Sequence, residues 1–282
     1  MFTEFKNTLR KLRGGIIGWS IGLVLYDLMM SSFYSSIGEL GDQMQELLES
    51  YPKEMMAFFP SMEEFASPVG YLDTYFSSLM TIIVGIFAVS IFAKLIVGEE
   101  EKGILDLVIA HPVSRSSLFW GRVLGAVSAI VFVLVAAWLG WVVPAESAGF
   151  EFTAWEFFLP MLPLFGILVL FGSLSLLMSM VLPAVRLASG LSGALLVGNF
   201  LLVGMSELNE DLKPVFDLTP LKYYQGAQII NDPNWGWLFG LIGVSLVFFL
   251  AAWMIFLRRD IRVGGEAGWH FSIKPRNKIT QS

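Results

Sequence analysis

Residues 119–143 read FWGRVLGAVSAIVFVLVAAWLGWVV, and Arg122 is the only charged residue among them. A helix needs about 20 mostly apolar residues to cross the hydrocarbon core of a bilayer, which is roughly 30 Å thick. The stretch is long enough and apolar enough to meet that requirement. It therefore predicts a membrane-spanning helix.

Five more apolar blocks of comparable length occur along the chain. They lie at about residues 16–36, 71–97, 157–182, 187–205 and 235–257. Of the 282 residues, 55% are hydrophobic and only 15% are charged, whereas about a quarter of the residues of a soluble domain are charged. We therefore predict an all-α polytopic membrane protein, with six transmembrane helices in a single transmembrane domain over residues 1–282.

Basic residues are distributed unevenly between the two sides of the predicted spans. If six spans alternate, all of the 18 Lys and Arg residues except Lys53, Lys213 and Lys222 lie on the side of the two termini. Cytoplasmic connections of membrane proteins carry an excess of Lys and Arg. The sequence thus predicts a multi-pass protein of the cell membrane with both termini in the cytoplasm, residues 258–282 being a cytoplasmic tail.

The first 13 residues have the spacing of a basic amphipathic helix. Apolar residues recur every three or four positions and basic residues share the opposite face, as Phe2, Phe5, Leu9 and Leu12 against Lys6, Arg10 and Arg13. Such a helix lies in the headgroup region of the membrane, and we expect the chain to turn into the bilayer at Gly14–Gly15. The alternative is a solvated, positively charged start to the first span.

Glycines recur at intervals of four residues in three of the predicted spans. They are Gly14, Gly18 and Gly22, then Gly121 and Gly125, then Gly236 and Gly240. Small residues at this spacing allow two membrane helices to approach closely. Each group is a candidate packing face.

Two polar residues lie within the predicted spans. Asp27 is midway along the first span, where a carboxyl group should face protein or water, pair with another group, or be protonated. It is a candidate for a substrate or proton path, and the alternative is a helix–helix hydrogen bond. Asn199 lies in the fifth span, and we expect its side chain to form an interhelical hydrogen bond rather than to contact a ligand.

The sequence contains none of the common catalytic, metal-binding or nucleotide-binding motifs. It has no Cys, no HExxH or GxSxG motif and no GxxxxGK[ST] phosphate loop, and its two histidines, His111 and His270, are far apart in sequence. We therefore expect no catalytic, metal-binding or cofactor-binding residue. The cytoplasmic segments are too short for a nucleotide-binding fold, so energy for any work must come from elsewhere.

The segment 98–122, GEEEKGILDLVIAHPVSRSSLFWGR, is polar between two apolar blocks. Ile104, Leu107 and Val108 have helical spacing, Pro112 breaks the run, and Ser114 is a plausible N-cap for the next helix. We expect a short amphipathic helix that docks into a groove of a soluble protein. The alternative, a helix resting on lipid, would be more basic because the inner leaflet is anionic.

The same segment resembles the signature of ABC-2 type transporter permeases. In that family E-E-x-x-G-T-L-E, P-V-S-R and a G-K pair follow the second span. Here these are EEEKGILD over 99–106, PVSR over 112–115, and GR at 121–122. LTPLKYYQG over 218–226 is similar to the family's L-S-P-x-x-Y-Y-x-G. The departures are Ile104, Asp106 and Arg122 in place of Thr, Glu and Lys.

This resemblance implies the transmembrane subunit of an ABC exporter. It would pair with a second permease, either the same chain or a paralogue, and with two separate ATPase subunits that bind ATP and Mg²⁺. Residues 1–13 would be the family's connecting helix and 98–122 the coupling segment. The resemblance assigns ATPase coupling to Glu99, Glu100, Gly103, Leu105, Asp106, Pro112, Ser114 and Arg115.

The remaining expectations concern what the protein transports and contacts. Apolar, nearly charge-free spans favour a hydrophobic or amphipathic substrate such as a drug, lipid or peptide. The expected partners are the two ATPase subunits, a second permease copy and the lipid bilayer, and we expect no nucleic acid. The alternative function is a proton- or ion-coupled secondary transporter that uses Asp27, although the two halves show no visible repeat of the kind such transporters often contain.

Overall fold

The computed structural model describes residues 1–49, 67–101, 103 and 114–258, without the side chains of 37–49. These residues form helices and connections, with no strand among them. Six of the helices are long and apolar enough to cross a membrane. They are α1 (Phe2–Glu49), α2 (Pro68–Lys94), α3 (Arg115–Val142), α4 (Ala154–Val181), α5 (Val185–Leu208) and α6 (Trp235–Arg258). The predicted all-α architecture with six spans is confirmed.

Side-chain caps set where three of these helices begin. Ser67 Oγ accepts the N–H of Gly70 at the start of α2, at 3.0 Å. Thr153 forms a capping box with Glu156 at the start of α4. Ser114 Oγ accepts the N–H of Ser117 at 3.2 Å, so the predicted N-cap of α3 is confirmed.

Helix α2 contains one π-helical segment, Asp73–Ser78, which ties it to its neighbours. A π turn is wider than an α turn and often occurs at functional positions. The carbonyl of Tyr75 accepts the Tyr26 hydroxyl of α1 at 2.7 Å, and that of Ser77 accepts the Tyr224 hydroxyl at 2.8 Å. Asp73 Oδ1 also accepts the N–H of Ala227 at 2.6 Å, so the connection before α6 folds back onto α2.

Helix α1 is unbroken from Phe2 to Glu49, so the predicted turn at Gly14–Gly15 is wrong. The reason is close parallel packing of its first turns on α3. A Cβ atom at Gly121 would lie 2.6 Å from the Met1 carbonyl oxygen, and one at Gly125 would lie 2.8 Å from Thr8 Cβ. This contact keeps the amino-terminal turns alongside α3 instead of letting them turn away.

Among the three predicted glycine faces, only Gly121–Gly125 packs against another helix within the described part of the chain. No described atom lies within 4 Å of a Cβ built at Gly14, Gly18, Gly22 or Gly240, and Gly236 meets only the nearby Asn234 side chain. The spacing alone therefore did not identify the helix contact.

The buried face of α1 is largely polar. Its buried residues within 1–36 are Glu4, Thr8, Leu23, Asp27 and Ser31, spaced four apart within two groups, 4–8 and 23–31. Asp27 packs against Gly140 of α3, where a Cβ atom would lie 2.9 Å from both the Cβ and the Oδ2 of Asp27. Glycines on α3 thus make the space that the polar face of α1 occupies.

Helices α2 and α4 are the most buried of the six spans, and α1, α5 and α6 lie at the periphery. Ser175 Oγ of α4 donates to the Val89 carbonyl of α2 at 2.9 Å, and Gly172 lets α4 approach the Phe92 ring. The peripheral helices expose large apolar side chains such as Ile17, Ile21 and Leu25 on α1. Exposed apolar surface of this kind suits contact with lipid or with another membrane helix.

Replacing Gly140 should show how much stability depends on the α1–α3 contact. Gly140→Ala places a methyl group 2.9 Å from Asp27, and overpacking of this kind costs about 1–3 kcal/mol. We expect a lower unfolding temperature in detergent. Gly243→Ala is the matched control because its Cβ would meet no atom within 4 Å; equal unfolding temperatures for the two variants would refute the close contact.

Candidate functional site

Arg122 is the centre of a charged cluster where α1, α2 and α3 meet. Its side chain is only 2% exposed. The guanidinium donates from Nε to Glu4 Oε2 at 3.2 Å, from Nη1 to the Leu95 carbonyl at 3.1 Å, and from Nη2 to Glu99 Oε2 at 2.5 Å. The Leu95 carbonyl is accessible because the helix geometry of α2 is interrupted after Lys94.

Glu99 is shared between two cations. Its Oε1 pairs with the Lys11 ammonium and its Oε2 with Arg122. Burial opposes ionisation of Glu99, but the hydrogen bonds and charges of Lys11 and Arg122 outweigh it and lower the pKa of the carboxyl. Glu99 is therefore ionised at neutral pH, which keeps both ion pairs intact.

Two neighbouring acidic residues extend this arrangement. Glu101 Oε1 accepts the N–H of Val185, the first residue of α5, at 2.8 Å. Glu100, in the short helix Val97–Glu100, is buried. Gly103 ends the turn with φ at +66°, a conformation that favours glycine, and its N–H donates to the Glu100 carbonyl. We call Glu4, Lys11, Glu99, Glu101 and Arg122 the charged node.

The start of α3 also contacts the end of α6. Arg115 Nη1 donates to the Leu257 carbonyl at 3.4 Å, and the Trp253 indole N–H donates to Ser116 Oγ at 3.3 Å. With the charged node, these bonds connect the segment that follows α2 and the start of α3 to α1, α5 and α6. Five of the six spanning helices therefore meet at this end of the bundle.

A second polar group lies farther along the α1–α3 contact. Asp27 is fully buried, and neither of its carboxyl oxygens makes a hydrogen bond of regular geometry with a described residue. The Trp141 indole N–H lies close to this carboxyl. Among the described residues the Trp141 Nε1 and the Ser31 Oγ likewise make no hydrogen bond of regular geometry.

Residues 7–257 match the family model described as "Multidrug efflux system permease Rv1217c, C-terminal domain". The chain belongs to this family. It is thus a permease of the ABC-2 exporter type, as the resemblance in the sequence implied. A comparison with curated proteins found no match.

The structure brings several of the predicted coupling residues of this permease together. Glu99, Glu100 and Gly103 follow α2, and Ser114 and Arg115 begin α3 at the same end of the bundle. Leu105, Asp106 and Pro112 lie outside the described residues, as do the predicted amphipathic helix and the prolyl turn. The assignment of all eight residues to ATPase coupling stays a prediction.

The two polar residues predicted within the spans have different surroundings. Asp27 is enclosed between α1 and α3. Asn199 is half-buried, and its amide donates to the Leu195 carbonyl of its own helix at 2.9 Å rather than to another helix, while its Oδ1 has no partner. The described part of the chain therefore gives Asn199 no interhelical hydrogen bond.

Sequence reasoning missed the central part that Arg122 plays in the permease. Arg122 was noted only as a variation in a motif, and Glu4 and Lys11 were read as part of a surface helix. One signal was present, because Glu4 is the only carboxylate in residues 1–13 and Arg122 is the only charge in residues 119–143. A lone carboxylate in a basic segment and a lone cation in an apolar span are candidates for a buried pair, because a buried charge needs a partner.

Removing the guanidinium of Arg122 should strongly destabilise the permease. Arg122→Met leaves Glu4 and Glu99 near the protein interior without their shared cation, and breaking a buried pair in this way costs about 3–5 kcal/mol. The measurement is thermal unfolding in detergent. Lys213→Met is the control, since it removes an exposed ion pair to Glu210 worth about 0–1 kcal/mol; a similar loss in both variants would contradict the role of the node.

Proposed function

We propose that this permease is the transmembrane subunit of an ATP-binding-cassette exporter for hydrophobic or amphipathic compounds such as drugs, lipids or peptides. The description of the family to which it belongs names a multidrug efflux system. The observation that carries the proposal is the set of hydrogen bonds by which the flanks of segment 98–122 hold five spanning helices. Such an arrangement suits a point where force enters the bundle.

The force would come from two separate ATPase subunits that dock on residues 98–122. Displacement of this segment would act on α1 through Lys11, on α5 through Glu101 and on α6 through Arg115. ATP and Mg²⁺ would be bound by those subunits, since the sequence of the permease has no phosphate loop. The docking end would face the cytoplasm of the cell, in keeping with the basic residues on that side.

A second permease copy, identical or paralogous, would complete the pathway. Helices α1 and α5 are the least buried spans. Both carry glycines at which a built Cβ meets no atom of the described residues within 4 Å, among them Gly14 on α1 and Gly193 and Gly198 on α5. Glycines of this kind allow close approach of a membrane helix from another subunit, so these faces are suited to the contact between permeases.

An open groove between α1 and α2 supports the proposed substrate class. Its volume is about 590 Å³. The residues that line it are Gly15, Gly18, Trp19, Gly22, Leu23, Tyr26, Met80 and Ile83. None of them is charged, and aromatic and apolar side chains of this sort line sites for drug-sized molecules.

Coupling can be tested with the permease in complex with its proposed ATPase subunits. Arg115→Ala removes the contact with the end of α6, and we expect drug-stimulated ATP hydrolysis to fall by about tenfold, within the range of typical coupling energies. The subunits should still copurify. Lys222→Ala is the control, because it removes the same charge from an exposed pair with Asp217.

Two results would overturn the proposal. One is drug transport by the permease in vesicles that contain no ATPase. The other is an equal effect of Arg115→Ala and Lys222→Ala on stimulated ATP hydrolysis, because the segment before α3 would then have no special part in coupling.

The alternative function, a proton- or ion-coupled transporter, is favoured by one observation. The Asp27 carboxyl is buried and pairs with no cation of the described residues, and ionisable groups at membrane depth often belong to ion or proton paths. Asp27→Asn keeps the shape of the side chain and removes the titratable group.

For an ATP-driven exporter we expect Asp27→Asn to retain drug efflux that depends on ATP. Efflux should be measured in vesicles with ATP and without a proton gradient, then with a gradient and without ATP. Ser31→Ala is the control, because it removes a neighbouring polar group and leaves the titratable carboxyl of Asp27 in place. Gradient-driven efflux that disappears in Asp27→Asn alone would support the alternative.

A further inference from the structure

A cavity of about 660 Å³ lies beside the charged node, between α1, the end of α2 and the start of α5. Thr8, Lys11 and Leu12 of α1 form one wall. Ser90, Ile91 and Lys94 of α2 form a second wall, and Val185 and Arg186 of α5 close the third side. The permease function described above does not require this cavity.

Lys94 and Arg186 form no ion pair with a described carboxylate, and against them Glu101 is the one carboxylate of the lining that no described cation pairs, so the lining keeps an excess of positive charge. The lining contains Lys11, Lys94, Arg122 and Arg186 against Glu99 and Glu101. Both oxygens of Glu99 are engaged by Lys11 and Arg122, and Glu101 accepts the N–H of Val185.

These two cations lie at the ends of membrane-spanning helices. Lys94 is the last residue of α2, and Arg186 is the second residue of α5. Long basic side chains at such positions reach the level of the lipid headgroups. The amino-terminal end of α5 adds partial positive charge at the same place.

The rest of the lining includes an apolar strip. Leu12, Ile91, Leu95 and Val185 all face the cavity. A ligand that fits both parts has an anionic group for Lys94 and Arg186 and a hydrocarbon part for this strip. An inorganic anion would leave the strip unused, and a cationic compound would be repelled by the free charges.

We propose that this cavity binds an anionic phospholipid from the adjacent leaflet. The phosphate lies between Lys94 and Arg186, and the first part of an acyl chain lies along Ile91 and Leu95. Since the cavity opens beside the charged node, the bound lipid contacts the same helix ends that carry the proposed coupling residues.

Lipid binding can be measured on the full-length permease in detergent by native mass spectrometry. Phosphatidylglycerol and phosphatidylcholine are titrated separately. Basic residues near a membrane surface each contribute about 1 kcal/mol to binding of anionic lipid, so two of them give a preference for phosphatidylglycerol of about thirtyfold. The experiment needs neither ATPase nor transport, so its outcome is independent of the proposed function.

Matched variants separate the cavity from the general surface. Lys94→Gln with Arg186→Gln should abolish the preference for phosphatidylglycerol. Arg10→Gln with Arg13→Gln removes the same charge from exposed positions of α1 that do not line the cavity, and the preference should remain. Ser90→Phe fills the cavity without a change of charge and should weaken the binding of phosphatidylglycerol.

Two outcomes would overturn the proposal. An equal loss of preference in both double variants would mean that only general surface charge attracts the lipid. Displacement of phosphatidylglycerol by inorganic phosphate at the same concentration would mean that the cavity is an ion site and that the apolar strip takes no part.

Discussion

The permease depends on the close parallel contact of α1 with α3. Three glycines of α3, Gly121, Gly125 and Gly140, let the backbones approach so closely that polar side chains of α1 fill the interface. In lipid, helices gain little from burying apolar surface against each other, so packing and hydrogen bonds must hold them together. This contact keeps α1 straight and brings Glu4 and Lys11 to the ends of α2 and α3.

The ionisable groups buried in the α1–α3 interface have two different kinds of surroundings. At one end Arg122 satisfies two carboxylates and a backbone carbonyl, so the charges there stabilise a defined arrangement. Near the middle, Asp27 is enclosed without a hydrogen bond of regular geometry to a described residue. A buried polar group that makes no hydrogen bond costs stability.

The number and order of spans could be predicted because long apolar blocks are nearly sufficient to specify membrane helices. The N-cap at Ser114 was also readable, since capping is a local property. The continuity of α1 could not be predicted, because the spacing of Phe2, Phe5 and Leu9 indicates that the apolar face of the helix is the buried one. Glu4 and Thr8 are the buried residues, and only the glycines of a distant helix explain why. The charged node likewise joins residues about 100 positions apart, and its one sign in the sequence is a lone carboxylate in residues 1–13 and a lone charge in residues 119–143.

The unbroken geometry of α1 has a mechanical consequence. A helix of 48 residues measures about 70 Å at 1.5 Å per residue, whereas a bilayer with its headgroups is about 40–45 Å thick. The helix therefore reaches beyond the bilayer, and its amino-terminal end is held by the bond between Glu4 and Arg122. We expect a displacement of that end to be transmitted along the continuous helix to the opposite face of the membrane.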